Sequence, residues 1–97
     1  MLTQTEVTEK WSYVRRRIGT RKDGAKIAAL LQGYTVIGIE GTDDMPIVVC
    51  QARSDFHYNT LQGNEAYHAL IRWALRVTLE TECNIRLLPP QTQAIVQ

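Results

Sequence analysis

The sequence holds only two cysteines, three prolines and one phenylalanine. Two cysteines are too few for the disulfide scaffold that small secreted domains use. Cys50 and Cys83 each lie in an apolar, strand-like segment, where a free thiol behaves as a small buried hydrophobic side chain. No apolar run reaches the roughly 18 residues that a membrane span requires, and the first residues lack the pattern of a signal peptide. We therefore expect a cytoplasmic domain that does not contact a membrane.

Catalytic patterns are also missing. Ser54, Asp55 and His57 are the residue types of a hydrolase triad, but side chains this close together at a helix start act more readily as a cap. The run Gly19–Gly24 has two glycines and a lysine, yet it lacks the Gly-Lys-Ser/Thr ending of a phosphate-binding loop. We expect no catalytic residue and no cofactor, and we predict that the chain is not an enzyme.

A metal site is not expected either. The cysteines and histidines are separated by long intervals and form no close ligand pair of the CxxC or HxxxH kind. The simpler expectation is that both cysteines are buried and that both histidines, His57 and His68, are exposed.

The charges are distributed unevenly along the chain. Residues 1–26 carry seven basic and three acidic side chains, a net charge of +4, whereas the remainder has a net charge of −3. Such a basic pole binds phosphate groups or an acidic protein surface, or it is simply a solvated helix face. The predicted contact residues are Arg15, Arg16, Arg21 and Lys22 in the pole, with Trp73, Ile95 and Val96 elsewhere.

Apolar periodicity and turn residues predict the element order α-α-β-β-α-β. The long helix before the last strand lets that strand pair in parallel with one strand of the preceding hairpin. We predict an α+β fold of two layers, in which a three-stranded mixed sheet carries the helices on one face. The predicted elements are helices around 7–18 and 27–31, strands at 34–40 and 47–50, a helix at 65–80 and a strand at 83–88.

Particular residues are expected to begin and end the helices. Thr3 and Glu6 have the spacing of a capping box, and Ser54 suits the start of a helix. Gly19 is expected to end the first helix with a positive φ, and the break at Gly63–Asn64 precedes the long helix. For the second helix, the expected cap lies between Thr20 and Asp23, or is Asp23 itself.

Residues 6–89 are predicted to form a single interaction domain, with flexible ends at 1–5 and 90–97. The predicted core consists of Val14, Ile18, Ile27, Leu30, Leu31, Ile37, Ile39, Val48, Cys50, Leu70, Ala74, Val77, Ile85 and Leu87.

In order and content, these segments resemble the C-terminal domain of the gamma/tau clamp-loader subunit of bacterial DNA polymerase III. The same layout is similar to the N-terminal domain of the DnaA replication initiator, which is KH-like. The resemblance spans Lys10 to Pro89, and the matching stretches are Trp11, Lys26–Gly33, Val36–Glu40, Phe56-His57 with Leu61, Glu65–Leu79 and Asn84–Leu88.

The resemblance implies a KH-like, non-catalytic docking domain of the bacterial replisome. Such a domain tethers the clamp loader to the polymerase catalytic subunit, with the replicative helicase as a further partner. The parent protein belongs to a polymerase holoenzyme, but this chain holds no ATPase or polymerase motif. The alternative is a KH-like module that binds nucleic acid weakly through the basic first helix and turn. Against it, the only GXXG, the loop type with which KH domains clamp a nucleic-acid backbone, is Gly38–Gly41 in a predicted strand.

Overall fold

The computed structural model describes residues 2–91, which form four helices and three strands. The predicted order is confirmed except that the helical stretch after the hairpin is two helices, a short one and the long one. The elements are α1 (Gln4–Gly19), α2 (Gly24–Leu31), β1 (Tyr34–Gly41), β2 (Pro46–Ala52), α3 (Asp55–Leu61), α4 (Glu65–Leu79) and β3 (Asn84–Leu88).

The three strands form a mixed sheet in the order β1-β2-β3. β1 and β2 are antiparallel and share a hairpin, whereas β2 and β3 are parallel. This arrangement confirms the α+β fold class and the parallel pairing predicted for the last strand. The long α4 supplies the connection that a parallel strand needs.

The core lies between one face of the sheet and the helices. Val48, Cys50 and Ile85 point from that face into a cluster that also contains residues of all four helices. α1 packs against α2, α4 and β1, so it is the central element of the helical layer. The fully buried side chains from the helices include Val7, Val14, Ile18, Ile27, Leu31, Leu61, Ile71 and Leu75.

The core prediction fails at Ile37, whose side chain is 41% exposed. A β-bulge between Val36 and Gly38 shifts the register against β2, so Val36 faces Cys50 and Gly38 faces Val49. The extra residue at position 37 falls outside the ladder, as the inserted residue of a bulge does. Ile39, Leu70, Val77 and Leu87 are only partly buried, and the other predicted core residues are buried.

The start of α1 and its last residue are as predicted, but the backbone conformation expected at Gly19 is not. Thr3 and Glu6 form the expected capping box, and α1 begins at Gln4, before the predicted domain boundary at residue 6. Gly19 is the last helical residue and does not have a positive φ. Asp23 precedes α2 with a left-handed φ of 63° and makes no side-chain cap, so that predicted cap is wrong. The left-handed backbone conformation between the two helices therefore occurs at Asp23 and not at Gly19.

The break between α3 and α4 was correctly located. Ser54 caps α3 by accepting a hydrogen bond from the backbone N–H of His57. Gly63 has a φ of 81°, which glycine adopts without strain, and Asn64 caps α4 through the N–H of Tyr67.

Candidate interaction surface

The predicted contact residues that the structure describes lie on three separate elements. Arg16 is exposed on α1, Arg21 and Lys22 are exposed in the turn between α1 and α2, and Trp73 is half-buried on α4. Ile95 and Val96 fall outside the described residues 2–91.

Arg21 and Trp73, which the sequence did not connect, are in direct contact. The guanidinium carbon of Arg21 lies 4.4 Å from the centroid of the Trp73 ring, which is a cation–π geometry. The contact is possible because α1 packs against α4 and brings the turn that follows α1 next to Trp73 on α4. It holds a charged group and a large aromatic side chain side by side at the surface.

Arg15 does not belong to this group. Its side chain is half-buried, and its Nε atom is buried without a hydrogen-bond partner within the part of the chain that the structure describes. Consecutive helical residues point about 100° apart, so Arg15 and Arg16 cannot serve the same contact. Arg16 is the one of the two that faces solvent.

A shallow groove between α1 and α4 contains residues that the sequence prediction missed. Its cavity volume is about 350 Å³. Tyr13 is 54% exposed, and the guanidinium carbon of Arg16 lies 5.5 Å from its ring centroid. Positions 13 and 16 are three residues apart on one helix, which was the available signal for this pair. The lining residues are Lys10, Tyr13, Arg16, Arg17, Thr20 and Thr78.

A second groove, of about 360 Å³, lies on another side of Trp73. There the indole lines the cavity together with Met45, whose side chain is 44% exposed, and with Arg72 and Arg76. Trp73 thus lies between the turn that carries Arg21 and the groove that Met45 lines.

Nearly all the cations on this side of the domain lack a carboxylate partner. Within residues 2–91 there are two ion pairs, each 2.6 Å long: Arg72 with Glu65, and Arg86 with Glu40. Arg72 is therefore already paired with Glu65, and the hydrogen bond and charge of Arg72 lower the pKa of Glu65. The basic residues of α1, of the following turn and of α2 form no ion pair inside the described part of the chain. Their charge remains available to a partner.

The Ser54–His57 pair lies at the start of α3. Ser54 Oγ lies 2.7 Å from His57 Nδ1 and also accepts the backbone N–H of His57. The imidazole ring packs against Gly33, where an added Cβ would lie 2.3 Å from the ring. Asp55 makes no hydrogen bond to this ring among the described residues, so no acid orients the histidine as a catalytic base requires.

Both histidines are half-buried, which corrects the expectation that they are exposed. His57 is fixed by Ser54 and Gly33, and His68 Nε2 lies 3.0 Å from the carbonyl oxygen of Leu61. The His57 ring thus lies between the start of α3 and the chain at Gly33, and the His68 ring contacts the end of α3. No group of three potential metal ligands comes together anywhere in residues 2–91.

The cysteines are buried and free, as predicted. Burial raises the pKa of Cys50 from 9.0 to about 12, and burial followed by the nearby charge of Glu82 raises that of Cys83. Thiols in this state are not nucleophiles at neutral pH, since the thiolate is the reactive form.

Comparison with protein-family models, with curated proteins and with solved structures found no match to this chain. Over the described range, no helix has the length and apolar character needed to cross a membrane.

Proposed function

We propose that this chain is a non-catalytic protein-docking domain of the bacterial replisome, acting in the cytoplasm. The observation that carries the docking role is the contact of Arg21 with Trp73 on a surface where, within residues 2–91, the cations other than Arg72 have no carboxylate partner. Arginine and tryptophan are enriched among the residues that dominate binding energy at protein interfaces. The choice of partner, the polymerase catalytic subunit and then the replicative helicase, is supported by the sequence resemblance.

A second candidate function is weak nucleic-acid binding, favoured by the net charge of +4 in residues 1–26. Two observations weigh against a KH-type clamp. The single GXXG, Gly38–Gly41, lies within β1, and the cationic turn between α1 and α2 runs from Gly19 to Gly24, six residues rather than the four of a GXXG loop. A backbone clamp needs its glycines and its positive charge in a loop between helices.

Titration calorimetry with the purified polymerase catalytic subunit and with the replicative helicase tests the docking role. We expect Arg21→Glu and Trp73→Ala each to weaken the interaction by about tenfold or more, as loss of an interface anchor does. Arg53→Glu is the matched control, because Arg53 is an exposed cation that lines a different groove, beside Thr35 and Ile37.

Single-stranded and duplex DNA are titrated in parallel over a range of salt concentrations. Affinity for DNA that falls steeply with salt, together with no binding to either protein, would replace the docking proposal with the nucleic-acid one. Binding to the proteins that is unchanged by both variants would leave the docking role standing and move the contact surface elsewhere.

A further inference from the structure

The groove between α1 and α4 has a regular pattern along its rim. Lys10, Tyr13 and Arg17 are related as i, i+3 and i+7, so they follow one another along a single face of α1. The rise of an α-helix places the Cα atoms of Lys10 and Arg17 about 10.5 Å apart, with Tyr13 between them. The groove edge therefore reads cation, aromatic, cation.

We infer that this groove binds an acidic amphipathic helix of a protein partner, with carboxylates seven residues apart and an apolar side chain between them. The Cα atoms of two acidic residues in an i, i+7 relation are likewise about 10.5 Å apart, which matches the Cα spacing of Lys10 and Arg17. An apolar residue three or four positions after the first acid then lies over the Tyr13 ring. This inference deepens the proposed docking function by assigning the partner's chemistry and its register.

The positive charge of the groove lining is complementary to an acidic helix. Four residues of the lining are cationic or aromatic and project from α1, and the lining contains no acidic side chain. Within residues 2–91, Lys10 and Arg17 form no ion pair, so a partner carboxylate displaces no existing contact. Complementary charges of this kind fix the register of an interface and accelerate association.

The lining also fits in polarity and size. The ring of Tyr13 is 54% exposed while the Arg16 guanidinium lies 5.5 Å from its centroid, which leaves an apolar surface between charged neighbours. A cavity of about 350 Å³ is near the lower limit of ligand pockets, so it admits a few side chains of a helix laid along the surface. Recognition of one helix face by a groove is a common mode of peptide binding.

Single-stranded nucleic acid is the less favoured occupant. Unspecific binders of single strands combine a cationic groove with aromatic rings on which successive bases stack. The lining of this groove offers one aromatic ring, that of Tyr13, so successive bases have no second ring there on which to stack. Nucleic acid is retained as an outcome of the test.

The test uses fluorescence anisotropy with a designed helical peptide of roughly 18 residues, long enough to form a helix in part. On one face it carries glutamates seven residues apart with a leucine between them. A second peptide has the same composition with the glutamates moved off that register, and a third has the leucine replaced by serine. An oligothymidine of similar charge is the nucleic-acid probe. The domain is used as the whole chain at low salt, where surface charges are least screened.

We expect the matched peptide to bind about tenfold more tightly than the out-of-register one. Arg17→Glu should weaken binding of the matched peptide by a similar factor, and a peptide whose facing glutamate is exchanged for lysine should restore it to that variant alone. Arg53→Glu, remote from the groove, should change nothing. Rescue by exchanged charges is a result that mere damage to the fold cannot produce.

Three outcomes would overturn the inference: equal affinity for the two registers, no detectable binding of the matched peptide, or tighter binding of oligothymidine that competes with it. The proposed function is scored separately by the polymerase and helicase titrations. A partner that binds the domain but is indifferent to Arg17→Glu would refute this groove assignment and leave the docking role intact.

Discussion

Gly24, the first residue of α2, lies in tight contact with the end of α1. A Cβ built at this position would lie 1.8 Å from the backbone carbonyl oxygen of Ile18. Backbone atoms cannot move aside as a flexible side chain does, so no larger residue fits unless the two helices separate. The same closeness accounts for the left-handed backbone of Asp23, which turns the chain directly into α2.

Substitution of Gly24 by alanine should therefore be strongly destabilising. We expect Gly24→Ala to lower the free energy of unfolding by roughly 2–4 kcal/mol, the range of overpacking and strain in a buried contact. Gly38→Ala is the matched control, since nothing lies within 4 Å of an added Cβ there and its φ is not positive. Its effect should stay within about 0.5 kcal/mol. Urea unfolding followed by circular dichroism measures both, and equal effects would show that the approach at Gly24 is not tight.

The helix caps and the break between α3 and α4 are local features that can be predicted from the sequence. The Thr3–Glu6 capping box, the Ser54 cap and the break at Gly63–Asn64 involve neighbours within four residues, so the local sequence determines them. The last residue of α1, Gly19, was also predictable, but the backbone that follows it was not. The left-handed φ falls at Asp23, next to a contact between Gly24 and Ile18 that exists only once α2 has folded back against α1.

At the scale of elements, β1 shows how a bulge changes a periodic pattern. Strict alternation along Val36, Ile37 and Ile39 cannot assign all three side chains to one face. The bulge resolves this conflict by placing Val36 and Ile39 towards the helices and leaving Ile37 exposed on the strand. The sequence of β1 alone does not indicate the bulge, because the bulge is defined by the register of β1 against β2.

Because of the bulge, substitutions at the adjacent residues Val36 and Ile37 should differ in their effect on the free energy of unfolding. Ile37→Thr should change the free energy of unfolding by less than about 0.5 kcal/mol, since an exposed side chain is replaced by another β-branched one. Val36→Ala should cost roughly 2 kcal/mol, because it removes two buried methyl groups and leaves a small cavity. Thermal unfolding of the two variants decides the matter. A larger loss for Ile37→Thr would mean that Ile37 and not Val36 faces the core.

The candidate surface was predictable in composition but not in arrangement. The basic pole and Trp73 were identified from charge and from position at the edge of the apolar face of α4. The stacking of Arg21 on Trp73 requires the packing of α1 on α4, which no local pattern contains. Charge alone does not indicate Tyr13, which is aligned with Lys10 and Arg17 only by the i, i+3, i+7 spacing along α1.

At the scale of the whole molecule, three buried side chains that are protonated at neutral pH should make the free energy of unfolding depend on pH in the alkaline range. They are Tyr34, Cys50 and Cys83. Burial, followed by the nearby Cys50 and Tyr58, raises the pKa of Tyr34 from 10.0 to about 12. Burial also raises the pKa of Cys50 from 9.0 to about 12, and the pKa of Cys83 is raised as well. Each group keeps its proton more firmly in the folded chain than in the unfolded one. Their contribution to stability is therefore complete below about pH 9 and is lost as the pH rises towards 12.

We expect urea unfolding in the presence of a reductant to show constant stability from pH 7 to about pH 9 and a steep decline above it. Cys50→Ala should be less stable at pH 7, because it leaves a small cavity in the core. Between pH 9 and pH 11 it should lose about 2 kcal/mol less than the parent chain, since one proton is worth about 1.4 kcal/mol per pH unit. Parallel curves for the two proteins would contradict the assignment of this decline to the Cys50 thiol.

The inertness of the two native thiols also makes the domain convenient for covalent labelling. Cys50 and Cys83 are the only cysteines in the chain, and both are sheltered and protonated near pH 7. A maleimide dye requires an accessible thiolate. A cysteine introduced on the solvent-facing side of any helix therefore becomes the single attachment point for a fluorophore or spin probe, without prior removal of the natural pair.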